Sequence, residues 1–290
     1  MSGSWSAPGD VQGLQRQLAG VGYLAGDELA LAALLAMRLN RPLLLEGENG
    51  VGKTEIAIAL AKVLGRDLVR LQCYEGIDTS QALYDWHYAR QLLAVREGQG
   101  HSDVFTREYL IARPLLTALE KGSGAVLLID ELDRADDQFE AFLLELLADY
   151  AVTVPEIGKI SAPEPPLVIL TSNRTRDLHN AVRRRCLYCW VSHPDAEREL
   201  EILRLQAPEV ADSLSREVSE AVARIRELNL GNKPGVGEAL DWANALHMLG
   251  VMTLDPETAR ATLSTLIKDV DDQDAVREAM ESIITREDDA

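Results

Sequence analysis

At 290 residues the chain has room for one large domain and a smaller one, and a composition of 47% hydrophobic and 26% charged residues excludes a disordered or fibrous protein. Acids outnumber bases by 47 to 29, for a formal charge of -18; such a chain repels a phosphate backbone, which counts against a nucleic-acid motor. No apolar run reaches the roughly 18 residues of a membrane span, and the polar start MSGSWSAPGD reads as a loose tail and not a signal peptide, so a cytoplasmic location is expected.

In chain order, short apolar runs at 43–45, 68–73, 125–129, 167–170 and 186–191 are each bounded by polar or turn residues and read as buried strands. Between them lie helical spacings, with Ile56, Leu60, Val63 and Leu64 stopping at Gly65, and Phe139, Phe142, Leu143, Leu146 and Leu147 stopping near Tyr150. Alternating strand and helix predicts an α/β fold with a mainly parallel five-stranded sheet covered on both faces. After His193-Pro194-Asp195 the strand signals cease, and helices are predicted to start at Asp195 and at Asp255-Pro256-Glu257, where a cap precedes a proline tolerated in the first turn. The expected organisation is a flexible tail over 1–12, an α/β domain over 13–195 and an all-α domain over 196–290, whose acidic end past Asp269 frays into a tail.

Gly47-Glu48-Asn49-Gly50-Val51-Gly52-Lys53-Thr54 fits G-x-x-x-x-G-K-[ST], between a strand and a helix. Glycines let the backbone turn its N–H groups inward, the helix presents its positive end, Lys53 reaches the terminal phosphates and Thr54 ligates Mg²⁺, which predicts an ATP site. A plain glycine turn explains neither Lys53-Thr54 nor the strand-to-helix setting.

The third run ends in Asp130-Glu131, at the carboxyl edge of the sheet where ligands of open α/β folds gather. This is a Walker B pattern: Asp130 is the expected Mg²⁺ ligand, acting through water, and Glu131 is the expected base for the attacking water. The fourth run leads into Thr171-Ser172-Asn173, making Asn173 the sensor candidate, although an Asn turning the chain after a strand is a common alternative. Arg183-Arg184-Arg185 precedes the fifth run, as a surface cluster or as the source of an arginine finger. Cys186 and Cys189 form a C-x-x-C, but strand residues three apart face opposite ways and no second pair completes a zinc site, so buried reduced thiols are expected.

In this order the motifs resemble those of the AAA+ ATPases. Within them the chain resembles the MoxR family, and 71–76, 171–176 and 184–188 resemble its carbon-monoxide-dehydrogenase accessory branch; the likeness covers about residues 20–285. It implies a three-layer P-loop domain with strand order 5-1-4-3-2, a helical lid, a hexameric ring and a partner carrying a von Willebrand factor A domain. It places the finger at Arg185, with Arg184 as the neighbour that could serve instead, and pore-facing segments at 75–105 and 152–166. In the first segment Tyr84 and Tyr88 are expected to share a helix face, and packing is favoured over gripping of substrate for Tyr84, Trp86 and Tyr88. Where the family carries a lid arginine this chain reads Gly231-Asn232-Lys233-Pro234-Gly235, with Lys233 the nearby cation; Asp241-Trp242 reads as lid packing.

Two functions stay open: an ATP-hydrolysing chaperone that remodels a protein partner, including a client metalloenzyme during maturation, or a nucleotide-gated assembly scaffold with weak hydrolysis. A small-molecule kinase has no use for this motif order, and a helicase loader conflicts with the charge.

Overall fold

The computed structural model describes residues 9–96 and 104–285. Two compact units emerge, one of residues 1–47 and 53–190, the other of residues 48–52 and 191–290. The dividing line thus runs through the glycine loop.

The first unit contains α1 (Val11–Ala19), α2 (Asp27–Leu39), β1 (Leu43–Gly47), α3 (Lys53–Leu64), β2 (Asp67–Gln72), α4 (Thr79–Ala82), β3 (Tyr84–Trp86), α5 (Tyr88–Arg96), β4 (Leu110–Ala112), α6 (Pro114–Lys121), β5 (Ala125–Asp130), α7 (Asp137–Asp149), β6 (Ala151–Val154), β7 (Gly158–Ser161), β8 (Leu167–Ser172), α8 (Asn180–Arg185) and β9 (Leu187–Val191). The main sheet runs β2-β5-β8-β1-β9. Counted along the chain this is 5-1-4-3-2, the order implied by the resemblance. The pairs β2–β5, β5–β8 and β1–β8 are parallel, so their carboxyl ends gather on one edge. Register sets Gln72 beside Asp130 and Ile129 beside Leu170, bringing the three strand ends to one level.

The three central strands are buried throughout, because helices cover both faces and leave no position for a polar side chain to reach water. The two outer strands correct the sequence reading. On β2 only Leu71 is buried, and on β9 Tyr188 and Trp190 are exposed. A single apolar run does not distinguish an edge strand from a central one. Cys186 likewise precedes β9 and ends α8. All three thiols are nevertheless free and buried, and burial pushes Cys73 and Cys186 up to about 12.

The segment 75–105, of which 97–103 lies outside the described residues, also departs from expectation. Tyr84 lies on β3, paired antiparallel with β4, whereas Tyr88 opens α5, so the two share no helix face. Trp86 is buried and stacks edge-on against Tyr84 at 5.9 Å and Phe105 at 5.3 Å, the aromatic packing favoured for this stretch. Within 152–166, β6 and β7 form an antiparallel hairpin. At the N-terminus Asp10 caps α1, so Val11 and Gln12 are helical and not tail; residues 1–8 lie outside the description.

The second unit adds α9 (Ala196–Gln206), α10 (Asp212–Glu227), α11 (Val236–Met248), α12 (Pro256–Leu266) and α13 (Val270–Ile284). Asp195, Asp255 and Asp269 cap α9, α12 and α13 by accepting from first-turn N–H groups. The acidic stretch after Asp269 is therefore helical to Ile284, and residues 286–290 lie outside the description. Trp242 is fully buried, with Nε1–H donating to Thr262 Oγ1 at 2.8 Å; it is a packing residue between α11 and α12. Among the described residues no helix is long and apolar enough to cross a membrane.

Candidate nucleotide site

Lys53 occupies the first position of α3, is 6% exposed, and donates from Nζ to the Gly47 carbonyl at 2.8 Å. The next residue, Thr54, donates from Oγ1 to Asp130 Oδ1 at 3.0 Å. Asp130 ends β5 and is 2% exposed. A carboxylate this dry requires partners, and three converge on it: Thr54, the Thr171 hydroxyl at 2.5 Å on the same oxygen, and Arg70 Nη2 at 2.5 Å on Oδ2. Thr171 also accepts the Glu131 N–H at 2.9 Å. One hydroxyl from β8 thereby ties the two acidic neighbours together.

Glu131 has a left-handed backbone, φ 54 and ψ 51. For a residue with a Cβ this costs of order 1 kcal/mol or more and is held only by surrounding structure. The turn sends the chain out of the buried strand, and Glu131 Oε2 accepts from Arg134 at 3.1 Å. Two acids adjacent in sequence therefore differ: one buried and saturated, the other partly exposed.

Asn173 approaches this pair through a residue the sequence reading passed over. Asp133 is 3% exposed and accepts from the Asn173 N–H at 3.1 Å, the Thr175 N–H at 2.9 Å and the Thr175 hydroxyl at 2.7 Å. It fixes the loop after β8 to the turn after β5. Glu140, fully buried, accepts the His179 N–H at 2.7 Å and pairs with Arg176, anchoring the chain just before α8.

The three consecutive arginines separate. Arg183 pairs with buried Glu46 at 2.6 Å and lies over the Tyr188 ring at 5.8 Å. Arg185 turns back to the Ala181 carbonyl at 3.2 Å, and Arg184 is exposed. Arg41 donates to the carbonyls of Arg184 and Arg185 at 3.0 and 3.3 Å, so the end of α8 is rigid while Arg184 points into solvent. Among the described residues no ion pair joins Arg184 or Arg185 to Asp130 or Glu131.

In the second unit the glycine loop meets the start of α11. Gly50 has φ 73 and its carbonyl accepts the Val236 N–H at 2.9 Å. A Cβ on Gly235 would stand 2.5 Å from Gly50 Cα and 2.7 Å from its carbonyl oxygen, so the approach is open only to glycine. Asp272 accepts the N–H groups of Gly231 and Asn232 at 2.8 and 2.9 Å, and Arg226 donates to the Pro234 carbonyl at 2.8 Å. Lys233 is exposed between these anchors. His193 Nε2 lies 3.0 Å from Glu48 Oε2.

The residues fit a magnesium nucleotide. Gly50 and Gly52, at φ 73 and 91, hold the left-handed backbone that lets a loop curl around an anion. Thr54 and Asp130 supply hard hydroxyl and carboxylate oxygens within 3.0 Å of each other, the donor chemistry Mg²⁺ takes alongside phosphate and water. No group of three His, Cys, Asp or Glu that could hold a metal occurs among the described residues.

The comparisons agree with this geometry. An uncharacterised protein of Staphylococcus saprophyticus is 23% identical over 276 residues, covering 91% of this chain and 99% of the relative. Protein NorQ of Paracoccus denitrificans is 26% identical over 185 residues, covering 61% of this chain and 62% of its own length. Thermotoga maritima RuvB, a solved structure at 16% identity and a TM-score of 0.52, covers 88% of this chain and 75% of that one and shares the fold. The profile of the AAA domain, dynein-related subfamily, matches residues 42–186, from the start of β1 to the end of the arginine cluster. The chain belongs to that family and is an AAA+ ATPase of MoxR-like type.

Proposed function

We propose that this protein is a Mg²⁺-dependent ATPase that works as a ring of its own copies, hexameric as in the resemblance, to remodel a protein partner. The observation that carries the reading is the chain of contacts from Thr54 to Asp130, and from Asp130 through Thr171 to the Glu131 N–H. In it Lys53 meets the terminal phosphates, and Thr54 and Asp130 hold the metal. When bound, the metal neutralises charge on the phosphoryl oxygens. Glu131 orients the attacking water and takes its proton, and Asn173 holds the same water or the γ-phosphate. Arg185, or its exposed neighbour Arg184, serves the γ-phosphate of the adjacent subunit. The partner side follows the same resemblance: a protein with a von Willebrand factor A domain, and a client metalloenzyme under maturation, in the cytoplasm.

The test is Glu131→Gln. Nucleotide uptake should survive while turnover falls by about 10² or more, the scale of general-base catalysis; undiminished turnover overturns the assignment. The lid loop favours one further reading. Its cation is Lys233, a point charge where a planar guanidinium would bridge phosphate oxygens bidentately, and weaker coupling suits a nucleotide-gated scaffold. A scaffold assembles with ATP yet stays slow with its partner present, whereas a remodelling ATPase accelerates.

A further inference from the structure

Arg70 was not marked by any motif, yet it makes one of the tightest contacts to the carboxylate around which the site is built. It lies on edge strand β2, two residues before Gln72, the residue in register with Asp130. Residues two apart on a strand share a face, and Arg70 reaches along that face so that Nη2 meets both Gln72 Oε1 at 2.7 Å and Asp130 Oδ2 at 2.5 Å. The other Asp130 oxygen is engaged by the Thr54 and Thr171 hydroxyls. Both oxygens of the carboxylate therefore have a partner among these contacts, and of the partners named here Arg70 brings a formal charge.

The pair is lopsided. The Asp130 side chain is 3% exposed and that of Arg70 is 50% exposed. A dry carboxylate left without a cation is costly, whereas a guanidinium already half in water leaves with little change in hydration. A divalent ion held through water at Asp130 and a guanidinium at hydrogen-bond distance from the same carboxylate repel each other. The two cations are alternatives.

We propose that Arg70 is a displaceable counter-ion: it occupies Asp130 before nucleotide binds, holding the carboxylate in position, and it swings off as Mg²⁺ arrives. Gln72 is the second anchor that sets how readily it leaves. This rests on the nucleotide-site reading above and makes Arg70 a positioning residue that tunes metal entry.

The experiment uses the full chain without nucleotide, titrated with Mn²⁺ and followed by electron paramagnetic resonance, so the readout is metal affinity and not turnover. Arg70→Gln should bind Mn²⁺ about tenfold more tightly than wild type, a change worth about 1.4 kcal/mol; Arg70→Lys, which keeps the charge, should stay near wild type. Gln72→Ala, on an exposed position, should move affinity in the same direction by less, and it decides the matter if Arg70→Gln does not fold. Equal or weaker uptake in Arg70→Gln and Gln72→Ala, including none in any variant, overturns the proposal. In a separate arm the wild type is titrated with a fluorescent ATP analogue plus Mg²⁺. Failure there sinks the nucleotide reading and leaves the Mn²⁺ comparison to judge Arg70 alone.

Discussion

Each unit buries a carboxylate under an arginine, and the two pairs are built differently. In the second unit Arg226 grips Glu199 through both fork nitrogens at 2.6 and 2.8 Å, with side chains 7% and 0% exposed. Its Nε donates to the Pro234 carbonyl at 2.8 Å and Nη1 reaches the Pro194 carbonyl at 3.4 Å. That guanidinium is dry and held by four hydrogen bonds, joins α9, α10 and the loop before α11, and leaves only by exposing bare charge. In the first unit Arg70 makes one contact to Asp130 and keeps half its surface in water. A closed bidentate pair fixes geometry, and an open single contact leaves the carboxylate available to another cation. The first arrangement suits a framework and the second a site.

The largest expected effect comes from breaking the closed pair. Burial already pushes the Glu199 carboxyl upward, and the Arg226 fork opposes that shift. Arg226→Ala leaves the carboxyl buried without its cation and frees the loop carrying Lys233 and Gly235. Unfolding by denaturant should show a loss of about 3–5 kcal/mol, and pairing the change with Glu199→Leu should recover a good part of it. A loss under about 1 kcal/mol, the scale of a surface pair, would erase the contrast with Arg70.

Gly235→Ala attacks the same loop sterically. The added methyl group meets the Gly50 backbone, which has no rotamer to change, so overpacking should cost about 1–3 kcal/mol. The hydrogen bond from Val236 to the Gly50 carbonyl should loosen with it, and the measurable consequence is weaker uptake of a fluorescent ATP analogue together with a lower melting temperature. Wild-type values for both would show that the close approach plays no part in shaping the glycine loop.

What could be read from the residues follows from how local each signal is. The loop 47–54 is one continuous motif, and Asp130-Glu131 ends an unbroken apolar run, so both stand out without tertiary information. Asp195 and Asp255 cap helices through bonds only three residues long. The strand order came from the family likeness, since nothing in five short runs says which are neighbours. Arg70, Asp133 and Glu46 stayed hidden because their partners are separated by 60, 40 and 137 residues in sequence. The misread places share a cause as well. β2 and β9 carry the same apolar letters as central strands, and Tyr84 and Tyr88 have helical spacing although a strand end and a helix start fall between them.

The smallest effect concerns a third kind of buried polar group, one with a site left unfilled. His193 Nδ1 is buried without a hydrogen-bond partner, while Nε2 faces Glu48. Burial lowers its pKa below the ordinary 6.5, and the nearby charges of Arg226 and Lys233 act in the same direction against the pull of Glu48. A histidine whose folded pKa is depressed stays neutral in the native state while the unfolded chain takes up a proton. Its contribution is therefore complete above about pH 6.5 and is lost as pH falls through that value toward the lowered one. Melting temperature followed from neutral pH down to about pH 5 should fall more steeply in the wild type than in His193→Gln. If the two curves run parallel, the pull of Glu48 balances burial and the neighbouring cations, and the imidazole adds no pH dependence of its own.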